Sequence, residues 1–153
     1  MKKKIQRVLE VIAILVVGIF LGCNMYETSF YSYSWGTAKM NLSFEDVSKI
    51  TCSYIDANGD YIVLEYATEE ELAIWKNFFD AMNKTTFAKN VSSFGGSFYG
   101  LDIEISTREH KLFRIAFSSV TRVQFDDFIW DSSEKIEIPI ECNLLGKTLK
   151  ITD

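Results

Sequence analysis

From Phe98 to Glu141 the chain alternates apolar and polar residues with period two, run after run, and this pattern most constrains what it can fold into. Leu101, Ile103 and Ile105 alternate with Asp102 and Glu104. After a polar turn at Thr107-Arg108-Glu109-His110, Phe113, Ile115 and Phe117 alternate with Arg114 and Ala116. Side chains two apart share one face of a strand, so these runs bury one face and wet the other, as antiparallel sheets do. On the wet face Asp102 or Glu104 is expected to pair across strands with Arg114 or Lys111. Val120 to Trp130 reads as a further strand, with a bulge expected at Asp126-Asp127. Lys135 to Glu141 places Ile136, Ile138 and Ile140 on one parity. Its Pro139 cannot donate to a ladder, so that strand belongs at an edge or carries its proline outward. Gly146-Lys147 reads as a turn before a short final strand, Thr148 to Ile151.

Upstream, Val47–Ile55 and Tyr61–Tyr66 are β-rich runs flanking Asp56-Ala57-Asn58-Gly59-Asp60. Asn58-Gly59 suits the two φ > 0 positions of a type I′ hairpin turn. The same residues imitate the start of a calcium loop. However, Tyr61 stands where that loop needs Gly and Ala67 where it needs Glu, so the turn accounts for them better. Thr68-Glu69-Glu70-Glu71 is a capping box. Leu72, Trp75, Phe79 and Met82 follow at helical intervals, widened by Phe78, and predict a helix over 69–83 with Lys76, Asn77, Asp80 and Asn83 facing water. Val91 to Gly100, with Gly95-Gly96, reads as a loop, since neither lysine nor helix start follows to make a phosphate cradle. The expected fold is α+β: one antiparallel sheet of about five or six strands with one principal helix packed on one face.

Lys2, Lys3, Lys4 and Arg7 precede an apolar run from Val11 to Leu21. A positive head and a short apolar core describe a secretory signal peptide, and the run falls short of the ~20 residues a spanning helix needs. Leu21-Gly22-Cys23 then resembles the lipobox of bacterial lipoproteins; Phe20 departs from the usual aliphatic residue before it. The resemblance implies removal of residues 1–22 and lipidation of Cys23 as the new N-terminus. The alternative is an uncleaved N-terminal membrane anchor with Glu10 held at the cytoplasmic interface. Because lysines stay inside, both readings put the domain outside. One gives a lipid-anchored protein on the outer face of the bacterial cytoplasmic membrane, the other a single-pass protein with its domain outside. Residues 23–45 read as a tether in which aromatics alternate with serines from Tyr31 to Trp35, and residues 46–153 as a single domain. The alternation fits a first strand laid on the domain or an aromatic segment in the membrane interface. A stacking ladder for sugar or peptide is the less favoured account.

Loss of residues 1–22 takes Lys2, Lys3, Lys4 and Arg7 away with Glu10, so 16 basic residues become 12 and 21 acidic become 20, a charge of −8 over 131 residues. Such a surface repels phosphate backbones, which excludes nucleic acid as a partner. Beyond Cys23, the cysteines are Cys52 and Cys142, both on apolar parities. A disulfide between them is permitted outside the cell, but two buried thiols acting as small apolar residues are the favoured account and the disulfide the alternative. No cysteine or histidine spacing fits zinc, and no cofactor is expected. His110, the single histidine, lies in a polar turn without a nucleophile motif. Asp126, Asp127 and Asp131 are the best carboxylates for an envelope hydrolase or a metal-dependent enzyme. Neighbouring Asp126 and Asp127 would point to opposite faces of a regular strand, which weakens that reading. Over residues 41–142 the order of elements resembles small, uncharacterised cell-surface lipoprotein domains of Gram-positive bacteria. That resemblance implies no known activity and carries over no functional residue except Cys23. The expected function is therefore a membrane-anchored, non-enzymatic module that binds a protein, peptide or envelope glycan through its sheet face and the 91–100 loop.

Overall fold

Among the described residues of this computed structural model, ten antiparallel strands hydrogen-bond into one sheet and two more form a small ribbon. The structure describes residues 2–56, 58–90, 100–140, 142–144 and 147–149, with side chains for 6–19, 27–56, 58–90 and 100–140. Helix α1 (Lys2–Asn24) leads without a linker into β1 (Met25–Glu27), β2 (Tyr31–Ser34) and β3 (Thr37–Met40). A 3₁₀ turn at Phe44–Asp46 precedes β4 (Val47–Ile55) and β5 (Tyr61–Tyr66). Helices α2 (Glu69–Ala73) and α3 (Lys76–Lys84) lead to β6 (Thr86–Lys89). Then come β7 (Leu101–Thr107), β8 (Leu112–Ser119), β9 (Arg122–Phe125) and β10 (Phe128–Ser132), with β11 (Cys142–Leu144) and β12 (Lys147–Leu149) as the ribbon. The sheet order is β1-β2-β3-β6-β10-β9-β8-β7-β4-β5.

An antiparallel sheet with helices is thus present, but five or six strands was too few. Residues 25–40, read as a tether, run as three paired strands, and Tyr31, Ala38 and Met40 are buried in the common core. The segment 120–130 is two strands rather than one bulged strand, because Asp126-Asp127 forms a tight turn. Residues 135–140 form no strand; Ile136, Ile138 and Ile140 bury alternately without a ladder, and the Ile136 N–H donates to Val120 O at 2.8 Å. An alternating pattern records burial, and burial does not require strand pairing.

The sheet has to curl. β3 and β4 are six neighbours apart in it, roughly 29 Å if flat at ~4.8 Å per strand. Residues 41–46 join them, and seven Cα steps reach only about 24 Å when extended. Phe30 and Phe113 give the same answer: their rings stack 4.8 Å apart although β2 and β8 are five neighbours apart. Ile50, Cys52, Ile103, Ile115, Phe117 and Val123 face inward, with α2 and α3 packed among them. Phe79 meets Phe44 at 5.5 Å, and Phe78 meets Phe117 at 6.0 Å. The linker is clipped by Asn83, exposed as expected: its Oδ1 accepts from Leu42 N–H and its Nδ2 donates to Leu42 O, both at 2.8 Å.

The helix expected over 69–83 is two pieces. At Ile74–Trp75 the chain tightens, with Trp75 N–H donating to Leu72 O three residues back at 3.0 Å. Neither Gly nor Pro marks the break; it falls on a β-branched and an aromatic residue, both modest helix formers. The apolar stripe survives it, since Leu72, Trp75, Phe78, Phe79 and Met82 are all buried. The capping box forms as expected: Thr68 Oγ1 accepts from Glu71 N–H at 3.3 Å, and Glu71 Oε2 accepts from Thr68 N–H at 3.0 Å. Those backbone donors, Thr68 first and then Ala67, hold the Glu71 carboxyl below its usual range.

Turn chemistry differs from expectation in an instructive way. Ile55 pairs with Tyr61, so the β4–β5 loop has five residues and is no two-residue type I′ turn. Asp56 Oδ1 organises it by accepting from the N–H groups of Asn58 at 2.8 Å and Asp60 at 2.9 Å. Two-residue turns with both φ positive occur instead at Trp35-Gly36 (φ 50 and 82) and Asp126-Asp127 (φ 49 and 61). They join β2 to β3 and β9 to β10, where only mirror-image turns match the strand twist.

Candidate functional site

The three aspartates singled out in the sequence sit on one hairpin but do not converge. Asp126 and Asp127 form its turn. Tyr31, buried on β2, reaches across the curl and its phenol donates to the Asp126 carboxylate. Asp131 lies four residues down β10 from Asp127, about 13 Å along the strand. It is occupied there: Arg122 Nε donates to it at 2.7 Å and Asn90 Nδ2 at 2.7 Å. The Arg122 guanidinium holds the Asp131 carboxyl below the usual carboxylate range. Glycoside hydrolysis needs two carboxyls about 5–9.5 Å apart, which the Asp127–Asp131 spacing along the strand exceeds. Asp126 and Asp131 therefore work as fasteners, one locking β2 over the turn and the other stitching β9 to β10.

Other residues of interest fall as follows. His110 stands exposed at the β7–β8 turn with φ 59, its N–H donating to Thr107 O at 3.0 Å. The expected cross-strand pair forms between Arg114 and Asp102 at 2.6 Å. Cys52 is fully buried on β4. The backbone of Cys142 lies in β11 alongside β4, while its side chain, and with it the choice between a disulfide to Cys52 and two buried thiols, lies outside the described residues. Cys23 belongs to the last turn of α1, its side chain likewise outside them. Residues 91–99 of the expected binding loop are also outside. Along α1 the apolar side chains from Val8 to Ile19 stand exposed. Among the described residues no helix is long and apolar enough to cross a membrane.

One cleft of about 150 Å³ opens where the 41–46 linker crosses the β7–β8 turn. Phe30, Leu42, Val47, Phe79 and Ile105 line it. Its rim charges Lys111 and Glu109 pair with each other at 2.8 Å. Ligand pockets usually measure about 300–1,000 Å³, so this one suits a single side chain rather than a metabolite.

The stronger feature is the edge formed by β5, which ends the sheet and has β4 as its single strand neighbour among the described residues. Tyr61 is 69 % exposed and Val63 54 %, with Ile55 exposed beside them on β4. Among the described residues nothing pairs with its outer side, and a six-residue edge without Pro or Lys makes a template for another strand. The charged residue on that row, Glu65, is drawn to Lys49 on β4 at 3.4 Å. The sequence marked the Pro139 run as an edge or as a strand with its proline outward, and gave β5 no such mark. The signal lay in Tyr-Ile-Val-Leu-Glu-Tyr itself, which is apolar on both parities although one of its faces meets water. No protein-family model, no curated protein and no solved structure matches this chain.

Proposed function

We propose that this chain is a membrane-anchored extracytoplasmic domain that acts without catalysis, as a binding module offering the β5 edge to an extended peptide or protein segment. The observation that carries the binding half is that edge: a six-residue strand at the end of the sheet with exposed Tyr61 and Val63. Peptides that add to such an edge gain affinity from main-chain hydrogen bonds and selectivity from alternate side chains. The scattered, partnered carboxylates of Asp126 and Asp131 argue against the hydrolase alternative. The anchoring half is supported by the basic head, the apolar α1 and the Leu21-Gly22-Cys23 match, all read from sequence.

Two experiments test the two halves separately. Labelled palmitate should enter the wild-type protein in bacterial cells and be lost completely from Cys23→Ser; equal labelling of both would end the lipoprotein assignment. For the edge, displayed extended peptides selected on the purified full chain should slow amide hydrogen exchange across residues 61–66. Val63→Lys should weaken their binding roughly fivefold, the ~1 kcal/mol of a lost apolar cross-strand pair, since Lys is a device that keeps edges unpaired. Protection elsewhere with none on β5 would move the binding site off this edge.

A further inference from the structure

The register of the first hairpin brings a second feature to the point where the anchor enters. Met25 pairs with Ser34 and Tyr26 with Tyr33, so the Trp35-Gly36 turn stands across from Asn24 at the end of α1. Met25 and Ser34, directly opposed, lie about 4.5–5.5 Å apart, and with one chain step to Trp35 and two to Cys23 the turn stays within roughly 17 Å of Cys23. No linker separates them, because β1 starts where α1 stops. Trp35 is 55 % exposed there, and at φ 50 it holds a backbone conformation that bulky residues seldom adopt.

The surroundings extend this tip into a small surface. Gly36 O accepts from Lys89 N–H at 2.7 Å. The Lys89 ammonium sits 3.4 Å from the centroid of the Phe128 ring and 5.7 Å from that of Tyr33. Phe128 is 42 % exposed. One end of the sheet, the end at which α1 joins, thus carries two exposed aromatics and a cation. Tryptophan and tyrosine rings settle at the level of lipid headgroups, and a lysine stem lies along apolar surface with its ammonium among the phosphates. The domain's negative charge gives no long-range pull toward anionic lipid, so contact here depends on short-range insertion of rings.

We propose that Trp35, with Phe128 and Lys89, forms a second membrane contact that seats this end of the sheet on the phospholipid interface beside the anchor. The proposal rests on the anchoring half of the reading above. It fixes the orientation of the domain: with the Trp35 end down, the sheet is held against the bilayer instead of swinging on its anchor at Cys23. A tip tied this closely to the anchor meets lipid before it meets any protein, which is why lipid and not a protein partner is the occupant.

Tryptophan fluorescence tests this cleanly, because Trp75 and Trp130 are buried and Trp35 is the exposed one of the three. The protein purified from bacterial membranes, with its anchor in place, is reconstituted into phosphatidylcholine vesicles containing a phosphatidylcholine brominated near its glycerol backbone. Bromolipid quenching of the wild type should be at least threefold that of W35F, a variant that removes the fluorophore signal while keeping an aromatic ring at the turn. Equal quenching in the two proteins overturns the contact. So does a Trp35 shielded from acrylamide yet unquenched by bromolipid, which would mean a protein or a second copy covers the tip. Flotation separates the two levels: wild type that floats with the vesicles but shows no Trp35 quenching loses this contact alone. Wild type that fails to float loses the anchor reading and the contact together.

Discussion

Trp75→Ala will lower the unfolding free energy by about 3–5 kcal/mol, a large share of the roughly 5–15 kcal/mol that holds a domain of this size. Trp75 is fully buried at the joint between α2 and α3. Its ring packs edge-on against Tyr66 of β5 at 5.4 Å and Phe78 of α3 at 5.3 Å. Removing it leaves a void between the helices and the open edge of the sheet, in a place where the rigid strands of the curl cannot close in. Thr68→Ala, which breaks the capping box without opening a void, should cost only about 1 kcal/mol. Trp75→Phe should fall nearer the cap variant than the alanine variant, because the indole N–H finds no acceptor among the described residues and its loss relieves an unpaired donor. Urea melts of the full chain followed by circular dichroism measure all three. If Thr68→Ala proved the more damaging, the helices would not be docked through this face.

What the sequence disclosed, and what it hid, follows from the range of each interaction. The capping box, the β4–β5 and β7–β8 hairpins and the inward parity of β7 and β8 depend on residues within a few positions of one another, and all were legible. The break at Ile74–Trp75 was not, because no Gly or Pro announces it and tertiary packing decides it. The curl was hidden too. It depends on β6 entering between β3 and β10, a pairing between residues far apart in sequence, and nothing in Thr86–Lys89 names either neighbour. Aromatic–serine alternation over Tyr31–Trp35 correctly suggested a strand, yet its status as core could be seen only once Tyr31 was placed against Phe113 and Phe125. The aspartates show the same divide. Their carboxylates were conspicuous in sequence, and their employment by Tyr31, Arg122 and Asn90 was not.

Phe125→Ala should be as damaging as Trp75→Ala, toward the upper part of the 3–5 kcal/mol range for phenylalanine truncation. Phe125 is buried on β9, where rings from four other strands meet it. It stacks on Trp130 of β10 at 5.0 Å and 7°, and meets Tyr31 of β2 at 5.1 Å, Phe87 of β6 at 5.9 Å and Phe113 of β8 at 6.2 Å. Each such pair adds about 0.5–1.5 kcal/mol beyond area burial, and one substitution removes all four. The location of the damage matters as much as its size. Tyr31 touches the far wall of the curl through Phe125, Phe113 and the Asp126 carboxylate, so losing Phe125 frees the strands that carry it. Amide hydrogen exchange in Phe125→Ala should therefore accelerate more across residues 31–40 than across β4 and β5, which lie at the other end of the sheet order. Phe128→Ala is the control, three residues away on the same hairpin but 42 % exposed and outside the Phe125 cluster, and should cost about 1 kcal/mol or less. Equal losses from the two variants, or exchange that rises uniformly over the sheet, would mean that the aromatic cluster around Phe125 does not hold the curl closed.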